Sequence, residues 1–329
     1  SLVLAYISWK FVESPFRNKS KTSRQFIFIF SIIGSVFFIA FGLLGHKNGG
    51  FPSRYSGNPD QSAFIAHFEN GLPNWAYFTA QAIPTKFRDD CNFYNIDAYR
   101  QGRSTRIPIS EIPPICFQKA ISTDKTLMLW GDSHVQMLRP GIDKNIGENW
   151  NVLQVASSGC EASIELFTSE KDYCVKSNAF ALATIEKTKP DVVIVGQNGN
   201  HNLQNMEQLH VTLIKLGVEK VIFTGPSPHW YIDLPKIIAF KLWNNTPSHT
   251  MFGLDRNLLG VDAHLKKNFK PTTSKRYLSI IDNLCNQEGC QVYLGNDVQA
   301  GVTSWDYGHL TPIASEQFAK DVLINEIEN

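Results

Sequence analysis

An uncharged apolar stretch from Gln25 to Gly45 restricts how this chain can fold more than any other feature of its sequence. The stretch reads QFIFIFSIIGSVFFIAFGLLG and contains no acidic or basic residue. About 20 apolar residues form a helix long enough to cross the hydrocarbon core of a bilayer. A helix buried in a soluble protein would instead need a polar stripe or a cap, and neither is present. We therefore predict one transmembrane helix over residues 25–45.

Basic residues are unevenly distributed around this predicted helix. They precede it at Lys10, Arg17, Lys19, Lys21 and Arg24, and they follow it at Lys47 and Arg54. Cytoplasmic flanks carry the excess of lysine and arginine, so we expect the large C-terminal part to lie outside the cytoplasm. A cleaved signal peptide would have a shorter apolar core that is preceded by fewer polar residues. The chain starts at Ser1 without a methionine, and we expect it to be a piece of a longer protein.

All six cysteines lie beyond the predicted transmembrane helix. An even number of cysteines in an exported region favours disulfides, whereas free buried thiols would be the expectation for a cytosolic protein. We predict that neighbours in the sequence pair: Cys91 with Cys116, Cys160 with Cys174, and Cys285 with Cys290. No C-x-x-C spacing indicates a zinc site or a thioredoxin-like site. The formal net charge of +1 gives no indication of nucleic-acid binding, and none is predicted.

From Lys125 onward, short apolar runs alternate with segments of helical spacing. The predicted strands are 126–130, 151–156, 191–195, 220–224 and 291–294. The predicted helices are 134–144, 174–187, 204–216, 274–287 and a last one that opens at Thr311-Pro312. Residues 226–271 form a long insertion between the fourth strand and the next helix. Such alternation predicts an α/β fold in which a five-stranded parallel sheet lies between helices.

Residues 46–123, between the transmembrane helix and the first strand, show weak periodicity and are rich in glycine, proline and aromatic residues. Disordered segments are poor in aromatic residues, so we interpret this region as an extension that packs on the C-terminal domain. The predicted Cys91–Cys116 disulfide would hold it. The aromatic residues that support this interpretation are Trp75, Tyr77, Phe78, Phe87, Phe93 and Tyr94. A surface for stacking on sugars is a second interpretation of the same side chains.

The first predicted strand ends at Gly131-Asp132-Ser133-His134, where a serine can reach the crevice at the carboxyl ends of the strands. A serine nucleophile needs a base and donors for the oxyanion, although Ser133 could also simply cap the following helix. We predict Ser133 as the nucleophile and His309 as its general base. Asp306, three residues earlier, would set the tautomer of His309. Adjacent residues in a turn rarely face the same way, so His134 is not predicted as the base.

Loops after the second and third predicted strands offer candidates for the oxyanion hole. Gly159 can bring a backbone N–H close to the tetrahedral centre, and Asn198 can add its side-chain amide. Gln197 and Asn200 are near neighbours, and a turn after a strand would itself favour such residues. Asp132 is predicted to fix its turn by accepting hydrogen bonds from loop N–H groups. The other histidines show no ligand spacing, so no metal-ligating residue is predicted.

Four short blocks resemble those of the SGNH (GDSL-type) hydrolase and acyltransferase superfamily. They are the segments around Ser133, Gly159 and Asn198 and the Asp306-x-x-His309 pattern. Gly131-Asp132-Ser133-His134, in place of the commoner GDSL, is similar to the branch that is fused to acyltransferase-3 membrane domains. The resemblance implies a flavodoxin-like SGNH-hydrolase fold. The segment Glu13-Ser14-Pro15-Phe16-Arg17 is similar to the pattern that closes an acyltransferase-3 domain on its cytoplasmic side.

The resemblance implies four parts. Residues 1–24 would end an acyltransferase-3 domain, 25–45 cross the bacterial inner membrane, 46–123 form a periplasmic extension, and 124–329 form the catalytic domain. The acyltransferase-3 domain of the same chain would pass acetyl outward from cytoplasmic acetyl-CoA, and no cofactor is expected in this piece itself. Ser133 would receive the acetyl group and transfer it to a sugar hydroxyl of a cell-surface polysaccharide, with lipopolysaccharide O-antigen preferred. The insertion 226–271 could shape acceptor specificity through its aromatic residues.

Three alternatives stay open from the sequence. The first is transfer to peptidoglycan in place of O-antigen. The second is an esterase that removes acetyl groups from carbohydrate, because transfer and hydrolysis differ only in whether sugar or water attacks. The third is a polysaccharide-binding module without catalysis.

Overall fold

The computed structural model describes residues 2–14, 23–47, 58–69, 75–95, 98, 101, 111–121, 123–165 and 172–329. The chain divides into two compact units, Ser1–Ser62 and Ala63–Asn329. Several residues used above lie outside the described residues: Pro15 and Arg17 of the Glu13-x-Pro15-x-Arg17 pattern, and the basic residues Lys19, Lys21 and Arg54.

The first unit contains the apolar stretch as one continuous helix, Arg24–Lys47. This helix is long and apolar enough to cross a membrane, and none of its residues is buried. A helix whose apolar side chains are exposed on all sides matches what lipid would cover. A shorter helix, Leu2–Ser8, continues as a π-helical turn over Trp9–Glu13.

The second unit is built on a five-stranded parallel sheet. Its strands are β1 (Lys125–Gly131), β2 (Trp150–Ala156), β3 (Val192–Gly196), β4 (Lys220–Thr224) and β6 (Lys275–Leu278). They lie in the order β2-β1-β3-β4-β6. A second, antiparallel sheet joins β5 (His249–Thr250), β8 (Gly289–Gln291) and β7 (Cys285–Asn286). The predicted α/β fold with a five-stranded parallel sheet is therefore confirmed.

Helices cover both faces of the parallel sheet. The longer helices of this unit are Arg139–Asn145, Asp172–Thr188, Leu203–Lys215, Arg256–Asn268 and Pro312–Phe318, the last continuing through Ala319–Leu323 to Ile324–Glu328. The helix Pro59–His67 begins in the first unit and ends in the second. The shorter helices are Ala76–Ala80, Ile83–Lys86, Ser133–Gln136, Leu234–Ile237, Ile280–Leu284 and Val298–Gly301. Single turns of other helical types occupy Asp89–Cys91, Pro114–Cys116, Ile238–Leu242 and Trp243–Asn245.

The central strand β1 shows why both faces must be covered. Its side chains point alternately to opposite faces, so Leu127 and Leu129 join one buried cluster while Met128 and Trp130 join the other. All four are fully buried. A strand that is apolar on both faces is typical of a parallel sheet with helices on each side.

The position of the fifth strand was predicted wrongly. Residues 274–287 do not form one helix: Lys275–Leu278 is the strand that pairs with β4, and only Ile280–Leu284 is helical. The predicted strand 291–294 is not part of the parallel sheet. The helix begins late because Ser279 caps it, its Oγ accepting a hydrogen bond from the Asp282 N–H at 2.9 Å. The predicted helix 134–144 is likewise two helices, Ser133–Gln136 and Arg139–Asn145.

The three predicted disulfides are all present. Cys91 pairs with Cys116, Cys160 with Cys174, and Cys285 with Cys290. No cysteine is left free. The first two lie beside the loop that follows β2, and the third joins opposite positions of β7 and β8.

Candidate active site

The turn after β1 places Ser133 at the carboxyl edge of the sheet. Gly131 has a φ of +148°, and a Cβ there would lie 1.9 Å from the Gly196 carbonyl oxygen, so the neighbouring strands approach closely only with glycine at this position. Asp132 accepts hydrogen bonds from the N–H of His134 at 2.8 Å and of Asn198 at 2.8 Å. This buried carboxylate accepts loop N–H groups, as the sequence predicted, and it also joins the ends of β1 and β3. Ser133 is the first residue of the helix Ser133–Gln136.

A hydrogen-bonded relay connects Asp306, His309 and Ser133. His309 Nε2 lies 2.8 Å from Ser133 Oγ, and His309 Nδ1 lies 2.6 Å from Asp306 Oδ2. The other carboxylate oxygen of Asp306 accepts the N–H groups of Gly308 at 2.9 Å and His309 at 2.8 Å. Because the carboxylate accepts a hydrogen bond from Nδ1–H, the proton stays on Nδ1 and Nε2 carries the lone pair that faces the serine hydroxyl. This is the geometry of a serine nucleophile and its general base.

The charges of the relay stabilise each other in a buried setting. Burial lowers the pKa of His309, but attraction by the Asp306 carboxylate and its hydrogen bond outweigh burial, so this pKa lies above the ordinary 6.5. Burial raises the pKa of Asp306, but His309 and two backbone N–H groups outweigh it, so this pKa lies below the ordinary 3.8. The pair is therefore arranged to stabilise an imidazolium on His309 when it accepts a proton.

His309 lies between two rings that hold it in place. Trp305 stacks on it with centroids 5.4 Å apart, and His134 packs on it at 4.5 Å. Ser227 Oγ donates to the Gly308 carbonyl oxygen at 2.8 Å, so it accepts from His134 Nδ1 at 3.2 Å. Burial lowers the pKa of His134 well below 6.5, which keeps it neutral. His134 thus packs on the candidate base and is not placed against Ser133 Oγ as a second one.

The two predicted oxyanion residues differ in their placement. Gly159, with a φ of +74°, lines the same cavity as Ser133, Asp306 and His309. Asn198 follows β3 and is held through its backbone N–H by Asp132, but it is not part of the cavity lining. Its side-chain oxygen is buried without a hydrogen-bond partner among the described residues. The oxyanion roles of both residues stay predictions.

The relay opens into a cavity of about 610 Å³. The aromatic residues that line it are Trp75, Phe78, Phe87, Tyr94, Tyr173, Trp305 and Tyr307. Four of these come from residues 75–94, so the predicted extension forms one wall of the cavity. The insertion 226–271 contributes Asp233 and Lys236, which form an ion pair at 2.6 Å. Such a cavity combines apolar faces with a few polar groups, as small-molecule sites do.

Sequence reasoning did not place His229 beside the relay. His229 packs against Tyr307 at 5.1 Å and His134 at 5.3 Å, and burial lowers its pKa to about 4. Its spacing from the four blocks gave no signal, and only its place in the insertion pointed towards the site.

Asp90, Cys91 and Cys116 lie close enough together for a metal ion, but both sulfurs are in a disulfide and are not thiolate ligands.

Comparison with known proteins identifies the family. A family model described as the SGNH domain fused to AT3 (acyltransferase-3) domains matches residues 100–323. The chain belongs to this family. The match spans the parallel sheet and the whole relay, so the resemblance inferred from the four blocks is confirmed.

A solved structure supports the SGNH fold. It is described as the periplasmic domain of a lipopolysaccharide acetyltransferase from Salmonella ser. Paratyphi A. The similarity covers 77% of this chain and 97% of that one, with a TM-score of 0.59 and 21% sequence identity. A second solved structure, 14% identical over 62% of this chain and 97% of its own length, has a TM-score of 0.34, too low to bear on the fold. No curated protein sequence matches this chain significantly.

Proposed function

We propose that this chain carries the extracytoplasmic domain of an O-acetyltransferase that acts on a cell-surface polysaccharide. The observation that carries the proposal is the hydrogen-bonded relay of Asp306, His309 and Ser133, which opens into an aromatic-lined cavity. Membership of a family fused to AT3 domains supports acyl transfer over hydrolysis. The intact relay disfavours a module that only binds polysaccharide.

The relay would act in two half-reactions. Ser133 Oγ attacks the carbonyl carbon of the acetyl donor while His309 Nε2 takes the hydroxyl proton, and the proton then passes to the leaving group as the C–O or C–S bond of the donor breaks. A sugar hydroxyl next attacks the acetyl-serine, giving its proton to His309. That proton returns to Ser133 Oγ as the sugar ester leaves. Gly159 and Asn198 are proposed as donors to the oxyanion in both half-reactions.

The donor and the compartment are proposed from the family membership, the apolar helix and the disulfides. Acetyl-CoA is proposed as the original donor, handled by an acyltransferase-3 domain upstream in the same chain. The helix Arg24–Lys47 would span the inner membrane once in this piece. The disulfides support a periplasmic location for the domain that carries the relay, because this compartment is oxidising.

The proposed acceptor is the O-antigen of lipopolysaccharide. The structural neighbour is described as a lipopolysaccharide acetyltransferase domain, and the aromatic wall offers flat faces on which sugar rings can stack. Peptidoglycan is the second acceptor to test. Hydrolysis, in which water empties the acetyl-serine, is the alternative reaction.

The proposal is tested by trapping the acetyl-serine. The full chain, in detergent with its disulfides intact, is incubated with p-nitrophenyl acetate and analysed by mass spectrometry alongside Ser133→Ala and Ser227→Ala. An acetyl group mapped to Ser133 and absent from Ser133→Ala is the expected result, and Ser227→Ala shows whether the contacts of Ser227 with Gly308 and His134 affect the reaction. A folded wild-type protein with neither adduct nor ester turnover would overturn the covalent mechanism.

The acceptor is tested in the same preparation. Purified O-antigen polysaccharide and peptidoglycan fragments are added separately, and sugar ester and free acetate are both measured. Ester formed on O-antigen at a rate above acetate release supports the proposed transfer. Ester on peptidoglycan alone would replace the acceptor, and acetate alone would identify an esterase.

A further inference from the structure

In the loop that follows β2, three backbone N–H groups are hydrogen-bonded within the protein. The Ser157 N–H donates to the Gly131 carbonyl at 3.0 Å, and the Cys160 N–H donates to the Ser157 carbonyl at 2.9 Å. The Ser158 N–H donates to Asn92 Oδ1 at 3.1 Å. The N–H of Ser158 is thus already used, although its side chain lines the cavity together with Ser133 and Gly159.

The orientation of the Asn92 amide is fixed by its partners. Its Oδ1 accepts from two backbone N–H groups, those of Tyr94 at 2.9 Å and Ser158 at 3.1 Å. Backbone N–H groups can only donate, so the atom facing them must be the oxygen. The nitrogen Nδ2 then donates to Ser158 Oγ at 2.9 Å and to Gln136 Oε1 at 3.2 Å. Asn92 is only 1% exposed, so water does not compete for these contacts.

This arrangement decides the direction of the Ser158 hydroxyl. A serine hydroxyl has one proton to donate and accepts through its lone pairs. Ser158 Oγ accepts from Asn92, so its own proton must go elsewhere. Among the described residues, the structure shows no hydrogen bond that this hydroxyl donates. The proton is therefore available on the cavity side, and the bond from Asn92 polarises it into a stronger donor.

The same network fixes Ser158 relative to the nucleophile. Gln136, which takes the second Asn92 donor, lies on the helix that begins at Ser133, and its own Nε2 donates to the Phe87 carbonyl at 3.3 Å. The extension, the loop after β2 and the nucleophile helix are thus held by one buried amide. A donor held in advance costs little reorganisation when negative charge develops in the reaction.

We propose that the Ser158 hydroxyl donates a hydrogen bond to the acyl carbonyl oxygen in the tetrahedral intermediate on Ser133, with Asn92 as its positioning residue. Ser158 would thus be a catalytic donor beyond the two residues that the sequence suggested. The proposal rests on the proposed acyl-serine chemistry. It adds no covalent step, because Ser158 only donates a hydrogen bond to the oxyanion.

Ser157 provides a matched control next to Ser158. It is fully buried, its Oγ has no hydrogen-bond partner among the described residues, and it does not line the cavity. Replacing Ser157 by alanine removes one hydroxyl from the same loop without removing a hydrogen bond. Ser158→Thr keeps a hydroxyl at the proposed donor position.

The experiment measures acetylation of Ser133 by p-nitrophenyl acetate in the full chain from the burst of p-nitrophenol, and the dependence of the burst rate on ester concentration gives a maximal acylation rate and a half-saturating concentration. Ser158→Ala is expected to lower the maximal acylation rate by about 10²- to 10³-fold, the range measured for loss of one oxyanion donor elsewhere. The half-saturating ester concentration should stay near wild type, and Ser157→Ala and Ser158→Thr should each retain most of the rate. Asn92→Asp should also slow acylation, because a carboxylate would take the Ser158 proton. Combining Asn92→Asp with Ser158→Ala should then add little to the loss.

The outcomes separate this proposal from the proposed function. An acylation rate in Ser158→Ala within about twofold of wild type, with Ser133→Ala inactive, would overturn the Ser158 role and leave the acyl-serine chemistry intact. A loss seen equally in Ser157→Ala would show a general effect of the loop and would also overturn it. Normal acylation of Ser158→Ala together with a raised KM for polysaccharide would indicate that the Ser158 hydroxyl binds the sugar acceptor and not the oxyanion, which would also overturn the proposal. An inactive wild type would refute the proposed function itself.

Discussion

Replacing Asp132 by asparagine is expected to change how the stability of the domain depends on pH. Asp132 is 2% exposed and accepts two backbone hydrogen bonds, from His134 and Asn198. Burial raises its pKa from 3.8 to about 6, against the lowering effects of those two N–H groups and of His309. The carboxylate joins the two strand ends, but its negative charge is costly where it lies.

The magnitude follows from the two pKa values. At about 1.36 kcal/mol for each pKa unit, the difference between 3.8 and about 6 corresponds to about 3 kcal/mol. The folded-state pKa is the higher one, so the folded protein binds more protons than the unfolded chain between these pH values. The free energy of unfolding contributed by Asp132 is therefore highest below about pH 4 and falls by about 3 kcal/mol as the pH rises past 6. Asparagine does not titrate, so it removes this dependence.

The substitution also has a cost that does not vary with pH. An asparagine side chain has one acceptor oxygen, so one of the two N–H groups loses its partner, at about 1–3 kcal/mol. Near pH 7 the two effects offset each other, and Asp132→Asn should unfold close to the wild type. At pH 4, where the wild-type side chain carries little charge in the folded state, the variant should be less stable by about 3 kcal/mol.

The assay compares thermal unfolding of the full chain and the variant from pH 4 to pH 7. At about 2–4 °C for each kcal/mol, the difference in Tm between the two proteins should narrow by about 6–12 °C across this range. Ser157→Ala, which changes no titratable group, is the control and should keep a constant difference from wild type. A difference for Asp132→Asn that stays constant, or that widens with rising pH, would refute the reasoning about the buried charge.

Two further predictions concern the relay and the loop beside it. Asp306→Asn should lower the rate by about 10⁴-fold, as in serine proteases. It should also move the acid limb of the pH–rate profile from above pH 6.5 to below it, because burial then dominates the pKa of His309; an acid limb that does not move would contradict this cause. Opening the Cys160–Cys174 disulfide by double serine substitution should slow acetylation of Ser133, because Cys160 directly follows Gly159. The matched change at Cys285 and Cys290, in the small antiparallel sheet, should leave acetylation nearly unchanged, and equal losses in the two variants would contradict a specific effect on the loop.

The residues of the relay could be predicted because each lies in a short segment whose local sequence indicates its structure. A glycine that ends an apolar strand fixes where Ser133 emerges, and parallel strands bring their carboxyl ends to one edge. Asp306 and His309 lie in one turn, so their contact needs no knowledge of distant parts of the chain. The disulfides followed from pairing neighbours, since each of the three closes a short stretch of sequence.

The fifth strand could not be found in the same way. Lys275-Arg276-Tyr277-Leu278 carries two charged residues and does not read as a buried strand. Its Lys275 is nevertheless 6% exposed, and it is paired with Glu207 on a helix distant in sequence. Leu278, Ile281 and Leu284 have helical spacing, although Leu278 belongs to the strand. The Ser279-x-x-Asp282 pattern resembles a helix start and marked the change of structure more accurately than the apolar spacing.

The cavity wall shows most clearly what sequence pattern leaves out. Phe93 donates its N–H to the carbonyl of Ala156, the last residue of β2, at 2.9 Å, and this contact carries the extension to the edge of the sheet. Cys91, which precedes Asn92, is held by its disulfide with Cys116. Asn92 thereby contacts Ser158, which is 66 residues away in the sequence. No local motif encodes such a contact. It follows that residues 75–95 belong to the site itself, and a piece of this protein that begins at the first strand would lack both four of the seven aromatic residues of the cavity and the amide that orients Ser158.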